Sequence, residues 1–175
     1  MSLSRPLREE YAEGYAPYIA AAAEGDVLDL LQAQMEDIAT LFAGFSEAQG
    51  AFRYAPGKWS LKDLLQHLCD AERIFAYRCL RIGRGDATPM PGFEEDPYAA
   101  AAKADARAMA DVVADWRAVR AASLTLFRSL PEAAWLNQGT TNHRAITARC
   151  IPYIVLGHAA HHLSVIRERY LPALK

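Results

Sequence analysis

The chain has 175 residues, 52% of them hydrophobic and 23% charged, with a formal net charge of −2. This is the makeup of an ordinary globular domain with enough chain to bury most of its apolar surface in one core. No polybasic tract points to nucleic acid or an anionic membrane surface, and no apolar run approaches the ~18 residues of a membrane span.

The first ten residues hold Arg5, Arg8, Glu9 and Glu10 and no apolar stretch, so a secretory signal is not expected. Cys69, Cys79 and Cys150 are odd in number and widely spaced, which reads as reduced thiols in a cytoplasmic protein. No internal repeat or linker divides the chain. The expectation is one domain over residues 1–175, with an N-terminal arm over 1–24 and a bundle over 25–172.

The pattern predicts an all-α fold: four long helices behind a helical arm, with no strand signal, since sustained alternation and an Asn-Gly hairpin are both missing. The arm covers Leu7 to Ala23 and ends at Gly25. The first long helix runs from Asp26, a suitable N-cap, to Glu47, with Val27, Leu31, Met35, Ile38 and Phe42 in its stripe. After a turn-rich link, Ser60 and Asp63 form a capping-box pair that starts a second helix. It reaches Ile82 and stops at Gly83 and Gly85.

The long irregular stretch from Asp86 to Asp96 suits a connection across a bundle. The third helix runs from Tyr98 to Leu130 and carries Val112, Trp116 and Phe127. A turn follows, anchored by Trp135, then a polar loop from Asn137 to Arg144. The fourth helix spans Ile146 to Tyr170, with Pro172 as its stop. Pro152 either sits in its first turns or kinks it.

Of the five histidines, His158 and His162 fall in the gap of the buried stripe of the fourth helix. Their i, i+4 spacing brings the two Cβ atoms to about 6 Å, within reach of one ion. His67 shares a face with Leu64, Ala71 and Ile74 and also points inward. A buried histidine on its own is ordinary hydrogen-bonded core. Three of them need partners for six ring nitrogens, at a cost of roughly 1–3 kcal/mol for each one unsatisfied, and one divalent metal satisfies three. Three histidine ligands leave coordination positions open, the pattern of a catalytic metal.

Asp70, three residues beyond His67, is placed to orient a ring, and Asp70 and Glu72 are the candidate acid–base residues, although Glu72 pairs as easily with Arg73 or Arg78 on the surface. His161 points about 100° away from His162 around the helix and reads as a non-ligand, and His143 as a solvated loop residue. Cys69 reads as a small buried hydrophobe. Tyr54, Lys58 and Trp59 read as packing at the bundle end.

Several segments together resemble the DinB/YfiT-like superfamily of four-helix metalloproteins: Tyr54-Ala-Pro-Gly-Lys-Trp-Ser60, His67-Leu-Cys-Asp70-Ala-Glu72-Arg73, Arg84-Gly-Asp-Ala-Thr-Pro-Met-Pro-Gly-Phe93, Gly157-His-Ala-Ala-His-His-Leu163 and Ile166-Arg-Glu-Arg-Tyr170. The resemblance covers about residues 8 to 171. It implies an up-down-down-up bundle, nickel or zinc on His67, His158 and His162, and frequent homodimers. It also implies either thiol-dependent S-transferase or metal-dependent hydrolase activity on a small-molecule substrate, the former with a low-molecular-weight thiol. The alternative it leaves open is a non-catalytic metal- or ligand-binding protein of the stress response. One departure is His143, where similar chains tend to carry glycine.

Overall fold

The apolar stripes become the buried faces of a bundle. The structure, a computed structural model, describes residues 3–174; Met1, Ser2 and Lys175, the ends of the expected domain, lie outside the described residues. Two short 3-10 turns lead into α1 (Ala16–Ala21). There follow α2 (Val27–Ala43), the single turn α3 (Glu47–Gly50), α4 (Leu61–Gly83), α5 (Glu95–Ala102) and α6 (Met109–Ser129). A hairpin of β1 (Gln138–Thr141) and β2 (Arg144–Thr147) precedes α7 (Cys150–Val165), which ends in a π-helical turn over Ile166–Tyr170.

Helices α2, α4, α6 and α7 form a four-helix bundle of up-down-down-up order, with α2 and α4 each packed between α6 and α7. Since α4 and α6 run the same way, their connection has to travel the length of the bundle. The crossover does this and carries α5 with it. Among the described residues no helix is long and apolar enough to cross a membrane.

The expected caps form. The Asp26 carboxylate accepts from the Leu28 and Asp29 amides. Ser60 Oγ accepts from the Asp63 amide at 2.9 Å, while the Asp63 carboxylate accepts from the Ser60 amide at 3.0 Å. Pro152 is the third residue of α7, where its missing N–H has no acceptor within the helix, so it starts α7 without kinking it.

Four expectations need correction. The arm is helical only over Ala16–Ala21 and in short 3-10 turns. The first long helix ends at Ala43, because Ser46 caps a new turn there with Gln49. The third helix is broken at Lys103, whose φ is 49°. Beyond the break, the Asp105 carboxylate accepts from Ser60 Oγ at 2.6 Å, and the Arg107 carbonyl accepts from Lys62 Nζ at 2.6 Å. Contacts to the start of α4 thus hold the chain away from a continuous helix. Finally, the loop before the fourth helix is a two-residue hairpin, so that helix begins at Cys150 and not Ile146. Its turn residues, Asn142 and His143, have φ of 48° and 62°, the left-handed pair of a type I′ turn. With histidine in the glycine position, the usual hairpin signal was absent.

A buried polar network crosses the middle of the bundle. Arg120 on α6 is fully buried. Its Nε donates to both Glu72 carboxylate oxygens on α4, at 2.8 and 3.0 Å. Its Nη1 donates to the Leu31 carbonyl at 2.9 Å and to Gln34 Oε1 at 3.1 Å, both on α2. Gln34 Nε2 in turn donates to the Leu156 carbonyl on α7 at 3.0 Å. Every helix of the bundle therefore contributes a group.

The arm is tied to the start of α7. The Glu10 carboxylate accepts from Arg149 Nε at 2.6 Å and from Thr147 Oγ1 at 2.7 Å. The Arg149 guanidinium, through these hydrogen bonds, holds the Glu10 carboxyl at about 2, below its ordinary 4.5. Further along, α1 lies directly on α7 at Gly157, where a Cβ would stand 1.8 Å from the Tyr18 carbonyl oxygen. Only glycine permits that approach.

Three outcomes follow, each readable by urea denaturation. Arg120→Met alone should cost about 3–5 kcal/mol, because it strands a buried carboxylate, while Arg120→Met with Glu72→Met should recover much of the loss; a double variant no better than the single would show that packing and not charge decides. Glu10→Gln should cost about 2 kcal/mol at pH 7. The depressed carboxyl contributes its stabilisation fully above pH 4.5 and loses it as the pH falls toward about 2, so the variant's stability should change less than wild type over that window. Gly157→Ala should cost about 2–4 kcal/mol by overpacking and free the arm, seen as faster proteolysis between residues 3 and 22.

Candidate metal centre

The cap at Ser60 fixes where α4 begins, and seven residues later its inward face carries His67. On α7, His158 and His162 follow one turn apart. The Leu156 carbonyl held by Gln34 sits two residues before the first of them, and Glu72 sits five residues beyond His67, so the buried network sets the relative position of both helices. At the far end of α7, the Tyr170 hydroxyl donates to the Trp59 carbonyl at 2.8 Å, which holds Trp59 over the start of α4.

The three imidazoles meet. His67 Nε2 lies 3.1 Å from His158 Nε2, which lies 3.1 Å from His162 Nε2. One ring nitrogen from each stands within 4.8 Å of the other two. A neutral imidazole Nε2 carries either one hydrogen or one lone pair. His158 Nε2 has two neighbours of its own kind, so hydrogen bonding can satisfy only one of the two contacts. A cation satisfies all three lone pairs together. Nitrogens bound to one ion at the usual ~2.0–2.1 Å stand about 2.9–3.4 Å apart for octahedral to tetrahedral angles, and the observed spacing falls in that range.

The protonation state agrees. Burial lowers the pKa of His67, against the opposing pull of Glu95, Asp70 and Asp96. Burial, with repulsion from the other histidines, holds His158 well below 6.5 and His162 at about 3. The rings are therefore neutral at pH 7 with lone pairs free, the form a metal requires. By donor chemistry, spacing and charge state, the residues present fit a divalent transition metal.

The nitrogens face a cavity of about 370 Å³. Its walls come from separate parts of the chain: Tyr15 and Tyr18 from the arm, Phe75 and Arg78 from α4, Phe93 and Glu95 from the crossover. The Trp59 ring is 4.7 Å from that of His67, and the Tyr18 and Phe75 rings are 5.3 and 6.3 Å from that of His158.

The other sequence expectations divide. His161 is exposed, stands edge-on to Tyr18 and His162, and does not join the cluster. His143 is exposed at the hairpin turn. Tyr54 packs on Tyr170 with ring centroids 4.9 Å apart, as expected for the bundle end.

Asp70 does not orient His67; its Oδ1 accepts from Gln66 Nε2 at 2.9 Å and from Arg73 Nη1 at 3.3 Å. Glu72 is neither a surface pair nor a cavity group, being 3% exposed and committed to Arg120. Its helix position is compatible with either direction, and only the location of Arg120 decides. Trp59, expected to pack the bundle end, instead lines the cavity. Cys69, Cys79 and Cys150 are buried free thiols; desolvation raises all three, Cys79 to about 12. Tyr18 and Glu95 were missed, since nothing local in the sequence links the arm or the crossover to the histidines; Arg78, expected as a surface partner for Glu72, is instead buried at the cavity. Phe93 alone had a signal, as the end of the segment resembling the superfamily.

Among solved structures, YfiT from Bacillus subtilis, described as a probable metal-dependent hydrolase with an unusual four-helix bundle topology, matches with a TM-score of 0.69 over 93% of this chain and 90% of its own. At 17% identity, what the two share is the fold. No curated protein sequence matches the chain. The DinB superfamily sequence model matches residues 30–166, a span that runs from α2 through α7 and includes all three clustered histidines; the chain belongs to the DinB superfamily.

Proposed function

We propose that this protein is a divalent-metal-dependent enzyme in which His67, His158 and His162 hold one nickel or zinc ion, and in which water or a low-molecular-weight thiol is activated to attack a small-molecule substrate. The observation that carries this reading is the convergence of three neutral imidazoles, with the His67 and His162 nitrogens each 3.1 Å from that of His158, on a cavity of about 370 Å³. Three protein ligands leave coordination positions open toward that cavity. A bound divalent ion lowers the pKa of a coordinated water or thiol and so supplies an anionic nucleophile near neutral pH.

The chain's own residues shape the rest. Its cysteines are buried with raised pKa values, so the nucleophile comes from solvent or from a second molecule. Glu95 is the carboxylate that lines the cavity, and it replaces Asp70 and Glu72 as the group available to accept a proton there. Burial raises the Tyr18 phenol, which keeps it protonated as a hydrogen-bond donor beside His158. Trp59, Phe75 and Phe93 give the cavity an aromatic wall against which an apolar part of a substrate can pack. Hydrolysis is favoured by the description of the fold's neighbour YfiT as a probable metal-dependent hydrolase; S-transfer is the related chemistry with a thiol in place of water.

Elemental analysis of freshly purified protein should find about one nickel or zinc per chain. His67→Ala and His162→Ala should each weaken binding at least ~100-fold, whereas His161→Ala should retain the ion. Metal-loaded protein is then offered ester and amide substrates and, separately, small thiols with an electrophilic acceptor. Consumption of neither class by fully loaded protein would leave a metal-binding protein and overturn the enzymatic reading.

A further inference from the structure

We propose that Arg78 is the anion-binding residue of the cavity and that the molecule received there carries a carboxylate, with an apolar body lying between that charge and the histidine cluster. The proposal deepens the reading of the cavity as a substrate site, but the anion site itself does not depend on a bound metal.

Arg78 is 4% exposed and permanently charged. The other arginine buried as deeply, Arg120, is paired with the Glu72 carboxylate, and the half-buried Arg149 with Glu10. Among the described residues no carboxylate oxygen lies within 4.0 Å of Arg78; its one hydrogen bond is from Nη2 to the Pro91 carbonyl at 2.9 Å. Four further N–H donors of a planar fork are thus left for another partner. A buried guanidinium without a counter-charge is costly, and this one lines the same cavity as the three histidines.

Its position is also fixed. The guanidinium carbon lies 5.6 Å from the Phe75 ring centroid, and the Pro91 bond holds it from the crossover side. The same Phe75 ring also stands beside the histidine cluster, its centroid 6.3 Å from that of the His158 ring. A ligand with its charge on Arg78 therefore spreads its apolar part over Phe75 and presents its far end to the histidines. Glu95 lines the cavity too, exposed at the rim. Its negative charge opposes a dianion more than a monoanion, so a carboxylate fits better than a phosphate monoester.

The test is equilibrium binding by calorimetry with phenylacetate, its neutral isostere phenylacetamide, and phenyl phosphate, on protein as purified and again after metal removal with a chelator. Phenylacetate should bind at least ~10-fold tighter than the amide and tighter than phenyl phosphate in both preparations. Arg78→Gln, which keeps a donor for the Pro91 carbonyl, should erase the preference for the acid over the amide. Arg78→Lys, which keeps the charge but loses the fork, should weaken phenylacetate about 3–10-fold and still favour it over the amide. Equal binding of acid and amide by wild type overturns the proposal, as does undiminished acid binding by Arg78→Gln, or, if that variant does not fold, by Arg78→Lys. Phenyl phosphate binding as tightly as phenylacetate overturns the carboxylate assignment. Acid preference that persists without metal while the metal analysis fails would sink the metal reading alone, and its loss in a protein that binds metal would sink the anion site alone.

Discussion

The hydrogen bonds that Arg120 sends to Glu72, Leu31 and Gln34, and that Gln34 passes on to Leu156, fix how the four bundle helices are rotated against one another. Apolar stripes alone tolerate many rotations, because burial is roughly proportional to area and has no direction. A buried guanidinium is different: its donors point in set directions, and each one left without a partner carries a penalty. The network is not complete, since Arg120 Nη2 has no hydrogen-bond partner, but the guanidinium is stacked on Trp116 at 4.5 Å. Because Glu72 and Leu156 lie on the two helices that bear the histidines, the same network brings the imidazoles to a common point.

Two further contacts frame that point from opposite ends. On one side, Gly157 lets the arm lie against α7 closely enough for Tyr18 to reach His158. On the other, the π-helical turn ends at Tyr170, whose hydroxyl holds the backbone of Trp59 and with it the wall over His67. The enclosure has an electrostatic result. Desolvation keeps the three rings uncharged, and uncharged rings packed at hydrogen-bond distance cannot all satisfy one another. A cluster of this kind carries a cost that a bound cation would remove, which is the physical basis for reading it as a candidate metal centre and not merely a polar core.

Among the described residues, Arg78 is the one buried arginine without a carboxylate partner, and it lines the same cavity. One cavity is therefore lined by two features of different kinds: three neutral imidazoles, and a guanidinium with no carboxylate beside it among the described residues. The Phe75 ring lies near both, 5.6 Å from the guanidinium carbon and 6.3 Å from the His158 ring.

Much of this was legible in the sequence. Helix stripes, the caps at Asp26 and Ser60, and the i, i+4 pair of His158 and His162 are properties of short segments, where spacing along the chain translates directly into direction around a helix. The all-α bundle and the inward direction of the three histidines follow from them. What sequence could not decide lay wherever a residue had a choice of partners far away in the chain. Asp70 and Glu72 face their partners and not the cavity because of Arg73 and Arg120. The helix expected to begin at Tyr98 breaks because Asp105 and Arg107 reach the start of α4, and the hairpin forms although His143 occupies the glycine position. Trp59, Tyr18, Glu95 and Arg78 become cavity residues only when the arm, the crossover and the helix ends are folded over the histidines. Local periodicity determines which face a side chain occupies; only the packed fold determines what that face meets.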